Sequence, residues 1–133
     1  MNGYLLDTDI CIFFLQGKYG LSGKIDAVGI ENCFISEITI AELLFGAENS
    51  TNYAQHIEEI SLFEQHFRII PIYNVLNTYA KEKTRLKKKG IIITEFDLLI
   101  GSTALTHDLV MVTGNGNHLG KIQGIQIENW TQR

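Results

Sequence analysis

Short apolar runs alternate with helical stretches along the whole chain, and that alternation constrains the fold more than any other feature. The runs are "YLLD" (4–7), "CFIS" (33–36), "FRIIPI" (67–72), "LVMVT" (109–113) and "IQIENW" (125–130). They are rich in Ile, Val, Leu and aromatic residues and too short to be buried helices, so they read as strands. The segments between them have helical patterning. Helices are predicted over 8–17, stopped by Gly17; 22–29, capped by Ser22; 39–49; 52–66; 74–90, stopped by Gly90; and 95–108. Within 52–66, Tyr53, Ile57, Ile60 and Phe63 recur at helical spacing. Strands joined through helices imply a mostly parallel sheet covered on both faces. The expectation is one three-layer α/β domain spanning 1–133.

Composition excludes several classes. Hydrophobic residues make up 45% of the chain and charged residues 20%, enough to bury a core. No apolar run approaches the roughly 18 residues of a membrane span. The longest, "ICIFFL", stops at Gln16. No basic stretch opens the chain, and Asp7 interrupts where a secretion signal would be apolar, so none is expected. Cys11 and Cys33 lie in apolar stretches outside any C-x-x-C motif, which suggests buried thiols in a reducing compartment, the cytoplasm. The net charge of −4 argues against indiscriminate polyanion binding. "KEKTRLKKK" (81–89) departs from that balance: six Lys/Arg against one Glu give +5, leaving −9 elsewhere. Lys81, Arg85, Lys87, Lys88 and Lys89 therefore form either a solvated helix face or an edge that tracks phosphates.

Three acids fall at unusual positions on this frame. Asp7 closes the first strand, where open α/β sheets place ligands, although Asp7 or Asp9 would equally cap the next helix. Glu42 is expected in the first turn of the helix after the second strand. There "TIAE" (39–42) also reads as a capping box. Asp97 is expected in the first turn of a later helix, a position the helix dipole favours in any case. Right-handed crossovers gather strand C-termini and helix N-termini at one edge, with Thr113 and Asn115 after "LVMVT". Carboxylates gathered there repel unless a cation sits among them, and Mg²⁺ takes such oxygen ligands. His56, His66, His107 and His118 show no metal-ligand spacing, and "GNGNHLG" (114–120) reads as a turn.

"YLLDTDICIFFLQGK", "FISEITIAELLFGAE", "TEFDLLIGSTAL" and "LVMVTGNGNHLGKIQGIQIENW" together resemble the PIN-domain ribonucleases, specifically the VapC toxins of bacterial toxin–antitoxin pairs. The resemblance covers essentially the whole chain, in order and spacing. It implies a Rossmann-like sheet, RNA cleavage dependent on Mg²⁺ or Mn²⁺, a homodimer, a VapB-type antitoxin and a structured RNA target, often a tRNA. Carried over, the family's acids fall on Asp7, Glu42 and Asp97, with Thr113 as its hydroxyl and Asn115 two positions on. The chain departs from the pattern at Asn115 and His118, where further acids often stand, and at Gly114, Leu119 and Thr94. The three acids are intact, and no fourth carboxylate is evident for a second metal. An acid cluster of this kind also suits an Arg side chain from a cationic antitoxin.

Two alternatives belong to other classes. "LLDTD" has the strand-then-D-x-D look of haloacid-dehalogenase-like phosphatases, but no later lysine motif or terminal acidic pair follows. A PIN-like scaffold that binds RNA or a partner without cutting is the non-enzymatic alternative.

Overall fold

The computed structural model describes residues 3–132. Among the described residues five strands form one sheet: β1 (Tyr4–Leu6), β2 (Cys33–Ser36), β3 (Arg68–Ile70), β4 (Val110–Val112) and β5 (Ile127–Glu128). Their order is β3-β2-β1-β4-β5 and every pairing is parallel. Leu5 pairs with Phe34 on one side and Met111 on the other. The helices are α1 (Thr8–Leu15), α2 (Leu21–Val28), α3 (Glu37–Glu48), α4 (Tyr53–His66), α5 (Leu76–Lys88), α6 (Glu95–Thr106) and the single turn α7 (Gly116–Leu119).

Successive strand residues point to opposite faces, and both faces are buried. Leu6 and Val112 join Ile10, Ile25, Leu43 and Phe63 under α1–α4. Leu5 and Met111 join Leu86, Leu98, Ile100 and Leu119 under α5–α7. This two-sided burial is why the strands read as continuous apolar runs rather than alternating ones. Gly101, inside α6, lets Ile122 pack where a Cβ would collide with it. Cys11 and Cys33 are free and buried, as expected. No helix among the described residues is long and apolar enough to cross a membrane.

Several boundaries differ from the sequence expectation. Helix α3 starts at Glu37, two residues before the predicted start, because Ser36 ends β2 and caps the helix itself through Ile38 N at 3.0 Å. The Thr39–Glu42 capping box is therefore not formed, and Glu42 lies beyond the first turn. Helix α2 follows Gly20, whose φ of 62° makes the turn, so Ser22 is an exposed helical residue rather than the cap. Helix α1 ends at Leu15, with Gly17 at φ 70° just past it. Part of "GNGNHLG" is helical: burial of Leu119 draws residues 116–119 into one turn.

Chain order reverses beside β1, since β2 lies on one side and β4 on the other. That reversal opens a crevice at the C-terminal ends of β1 and β4, the ligand position of open α/β sheets.

Candidate active site

Asp7 follows the last residue of β1 and stands in the N-cap position of α1. Its Oδ1 accepts from Thr8 N at 2.8 Å, so the capping role is real. Its Oδ2 accepts from Thr113 Oγ1 at 2.7 Å, across the crevice from the end of β4. The buried Thr113 hydroxyl accepts in turn from Asn115 N at 2.9 Å. One hydroxyl thus holds the carboxylate and pins the following loop. Asn115 contributes its amide; its side chain is exposed and does not cap α7.

Glu42 reaches this edge through Thr8, whose Oγ1 donates to Glu42 Oε1 at 2.6 Å and lies 3.1 Å from Thr39 Oγ1. Asp97 occupies the first turn of α6, where its amide donates to the cap Thr94 Oγ1 at 3.3 Å. Asp97 Oδ2 is 3.8 Å from His118 Nδ1.

Asp9, which the sequence offers only as a helix cap, joins this edge. Its Oδ2 accepts from Gly114 N at 3.0 Å. Its Oδ1 is buried and has no hydrogen-bond partner among the described residues. In sequence, Asp9 looks like any first-turn acid. Its partner lies 105 residues away, and no local pattern reports that contact. His118, which shows no metal-ligand spacing in the sequence, comes to Asp97 through the turn of α7.

Burial pushes the Asp7 carboxyl up to about 6. The Thr113 hydroxyl and the Thr8 amide pull it down, while the charges of Asp9 and Asp97 push it up further. Burial also raises Asp9, the Gly114 amide opposes that, and the Asp97 charge adds to it. Among the described residues no Lys or Arg pairs with Asp7, Asp9, Glu42 or Asp97. Mutually repelling hard oxygens, one of them buried without a partner, are a donor set that fits a hard divalent cation. No three His, Cys, Asp or Glu side chains among the described residues are grouped tightly enough to enclose an ion. A cation here would complete its shell with water or substrate oxygen.

The basic run lies on α5, beside the start of α6. Lys83 pairs with Glu95 at 2.7 Å, two residues before Asp97. Lys81, Lys87, Lys88 and Lys89 are exposed and form no ion pair among the described residues. Arg85 is committed elsewhere: it grips both oxygens of Glu82 at 2.9 and 2.6 Å and donates to Lys121 O at 2.9 Å.

A family model for the PIN domain matches residues 4–124. The chain is 32% identical over 131 residues to Ribonuclease VapC2 of Rickettsia felis, covering 96% of this chain and 97% of that one. It is 26% identical over 132 residues to the tRNA(fMet)-specific endonuclease VapC of Shigella flexneri, covering 98% and 100%. The crystal structure of VapBC2 from Rickettsia felis, bound to a DNA fragment from their promoter, matches with a TM-score of 0.88 at 29% identity. That match covers 96% of this chain and 98% of the solved one.

Proposed function

The chain belongs to the PIN-domain family, and from that premise we propose that it is the ribonuclease toxin of a toxin–antitoxin pair. In this reading it is an endoribonuclease dependent on Mg²⁺ or Mn²⁺, acting on a structured RNA, with tRNA the first candidate. The observation that carries the reading is a buried carboxylate, Asp7, clasped by Thr113 across the β1–β4 crevice, with acids at the same edge and no Lys or Arg paired with them among the described residues. Whole-length similarity to proteins named as a ribonuclease and a tRNA endonuclease supports it. The phosphatase alternative lapses with the family assignment.

Asp7 and Asp97 would hold the cation, with Glu42 oriented toward the same edge by the Thr8 hydroxyl. When bound, the ion would activate water and stabilise charge at a phosphodiester. Thr113 keeps one Asp7 oxygen fixed and favours its ionised form. In this reading Lys81 and Lys87–Lys89, exposed and without an ion pair among the described residues, would meet RNA phosphates, whereas Arg85 is occupied by Glu82. The partners are a VapB-type antitoxin, a second copy of this chain and the RNA. An antitoxin Arg would satisfy the carboxylates when no metal is bound.

The test is cleavage of purified tRNA pools by the full chain with Mg²⁺, with EDTA, and after Asp97→Asn. Sequencing of the new RNA ends identifies the target. Full activity of Asp97→Asn in Mg²⁺ would sink the reading.

A further inference from the structure

We propose that Asp9 is the fourth carboxylate of the cation site, with Oδ1 the oxygen left to the ion or its water. The inference rests on the metal-dependent reading above. Asp9 is anchored by one oxygen only: Oδ2 takes the Gly114 amide at 3.0 Å. A Cβ at position 114 would stand 2.9 Å from that oxygen, so a side chain there would press on the Asp9 carboxylate and shift it. Oδ1 is buried and has no partner among the described residues, although the amides of Asp9 and Ile10 lie near enough to favour its charge. An acid that served only the first helical turn would turn its second oxygen to water. Burying that oxygen without a partner, beside two more acids, is costly unless something positive meets it. Asn115 and His118, on the facing loop, bring no negative charge. With Asp9 the edge carries four carboxylates, Asp7, Asp9, Glu42 and Asp97, matching the charge of two divalent ions.

Calorimetric titration of the metal-free full chain with MnCl₂ tests this, on wild type, Asp9→Asn and Asp7→Asn. Asparagine keeps an oxygen for the Gly114 amide, so the loop anchor survives. Asp9→Asn is expected to weaken Mn²⁺ binding by about tenfold or more, or to remove one of two sites. It should also raise the melting temperature in EDTA and shrink the rise that Mn²⁺ produces. Wild-type Mn²⁺ affinity in Asp9→Asn, with binding impaired in Asp7→Asn, would make Asp9 a loop anchor and overturn the inference while leaving the site intact. No Mn²⁺ binding by wild type would overturn both readings. Should Asp9→Asn fail to fold, Gly114→Ala decides, because it crowds Oδ2 and keeps the charge. Weaker Mn²⁺ binding supports the proposal, and unchanged affinity overturns it.

Discussion

Asp7 and Glu82 are both buried acids, and the protein treats them in opposite ways. Glu82 is fully partnered: Arg85 holds both oxygens and Gln123 N donates to Oε2 at 2.8 Å. Its carboxyl lies below the usual range, chiefly because of the Arg85 hydrogen bonds. Asp7 has two neutral donors, and the nearby charges that act on it are negative, so burial prevails and its carboxyl is raised. The first arrangement staples the segment around Lys121–Gln123 to α5. The second maintains an unbalanced charge at a sheet's ligand-binding edge. Unbalanced buried acids in a crevice indicate a functional site, and balanced ones a structural role.

The largest effect should come from removing the unbalanced group. Asp7→Asn or Asp97→Asn should lower RNA cleavage at saturating Mg²⁺ by at least about a hundredfold, on the scale of a lost ligand to a catalytic ion. Glu82→Gln should leave cleavage per folded molecule near wild type. If both classes of variant lose activity in proportion to lost stability, the distinction between the two acids fails.

Stability should separate the same residues with opposite sign. Glu82→Gln gives up charge-assisted hydrogen bonds and should cost about 1–3 kcal/mol in urea melts. Asp7→Asn should stabilise the metal-free protein. The folded carboxyl titrates at about 6 against 3.8 unfolded. Between those values the folded state holds the extra proton, so stability falls as pH rises through about 4 to 6. Above that window the cost reaches about 3 kcal/mol at most, reduced in Asn by a weaker bond to Thr113. Glu82 behaves inversely: its contribution is present above the unfolded value and is lost as pH falls through its lowered one. Urea melts of wild type and Asp7→Asn from pH 3.5 to 7.5 in EDTA should therefore converge at the acidic end and diverge above it.

These contrasts also mark what could be read from sequence. Asp7 and Asp97 were legible because a strand end and a helix start are local patterns, and right-handed crossovers bring them to one edge. The edge was correct for Glu42, but its place in the helix was not, since Ser36 turns directly from strand to cap with no intervening loop. Asp9 was illegible because its partner is a backbone group far along the chain, Gly114 N, and backbone partners leave no side-chain signature. Arg85 differs: its bond to Lys121 O is equally hidden, but its main partner Glu82 stands three residues earlier, at a spacing that pairs charges on a helix. The charge run therefore overcounted its free cations by including Arg85.

That overcount sharpens a third prediction. Charge reversal at Lys87, Lys88 and Lys89 together should weaken RNA binding by about tenfold at low salt and flatten its salt dependence. Arg85→Gln should act instead through the Glu82 staple, lowering stability and barely changing the salt slope. Equal salt slopes in wild type and the triple variant would make the run a solvated face.

The smallest effect is expected at Asn115, which stands on the crevice side of the comparison by position but not by contact. The loop is held by its backbone amide on Thr113 Oγ1, and alanine keeps that amide. The side chain is exposed and caps nothing, so its available role is an uncharged oxygen toward a cation or its water. Losing such a ligand is worth on the order of 1 kcal/mol, a few-fold rise in the Mg²⁺ needed for half-maximal cleavage. Asn115→Asp adds the charge this position lacks and should lower that requirement. Asn115→Pro deletes the amide, frees the Thr113 hydroxyl and should cost much more than Asn115→Ala. Magnesium titrations rank the three. If Asn115→Ala and Asn115→Asp both match wild type while Asn115→Pro fails, the residue serves the crevice through its backbone alone, and Thr113 is the loop's whole connection to Asp7.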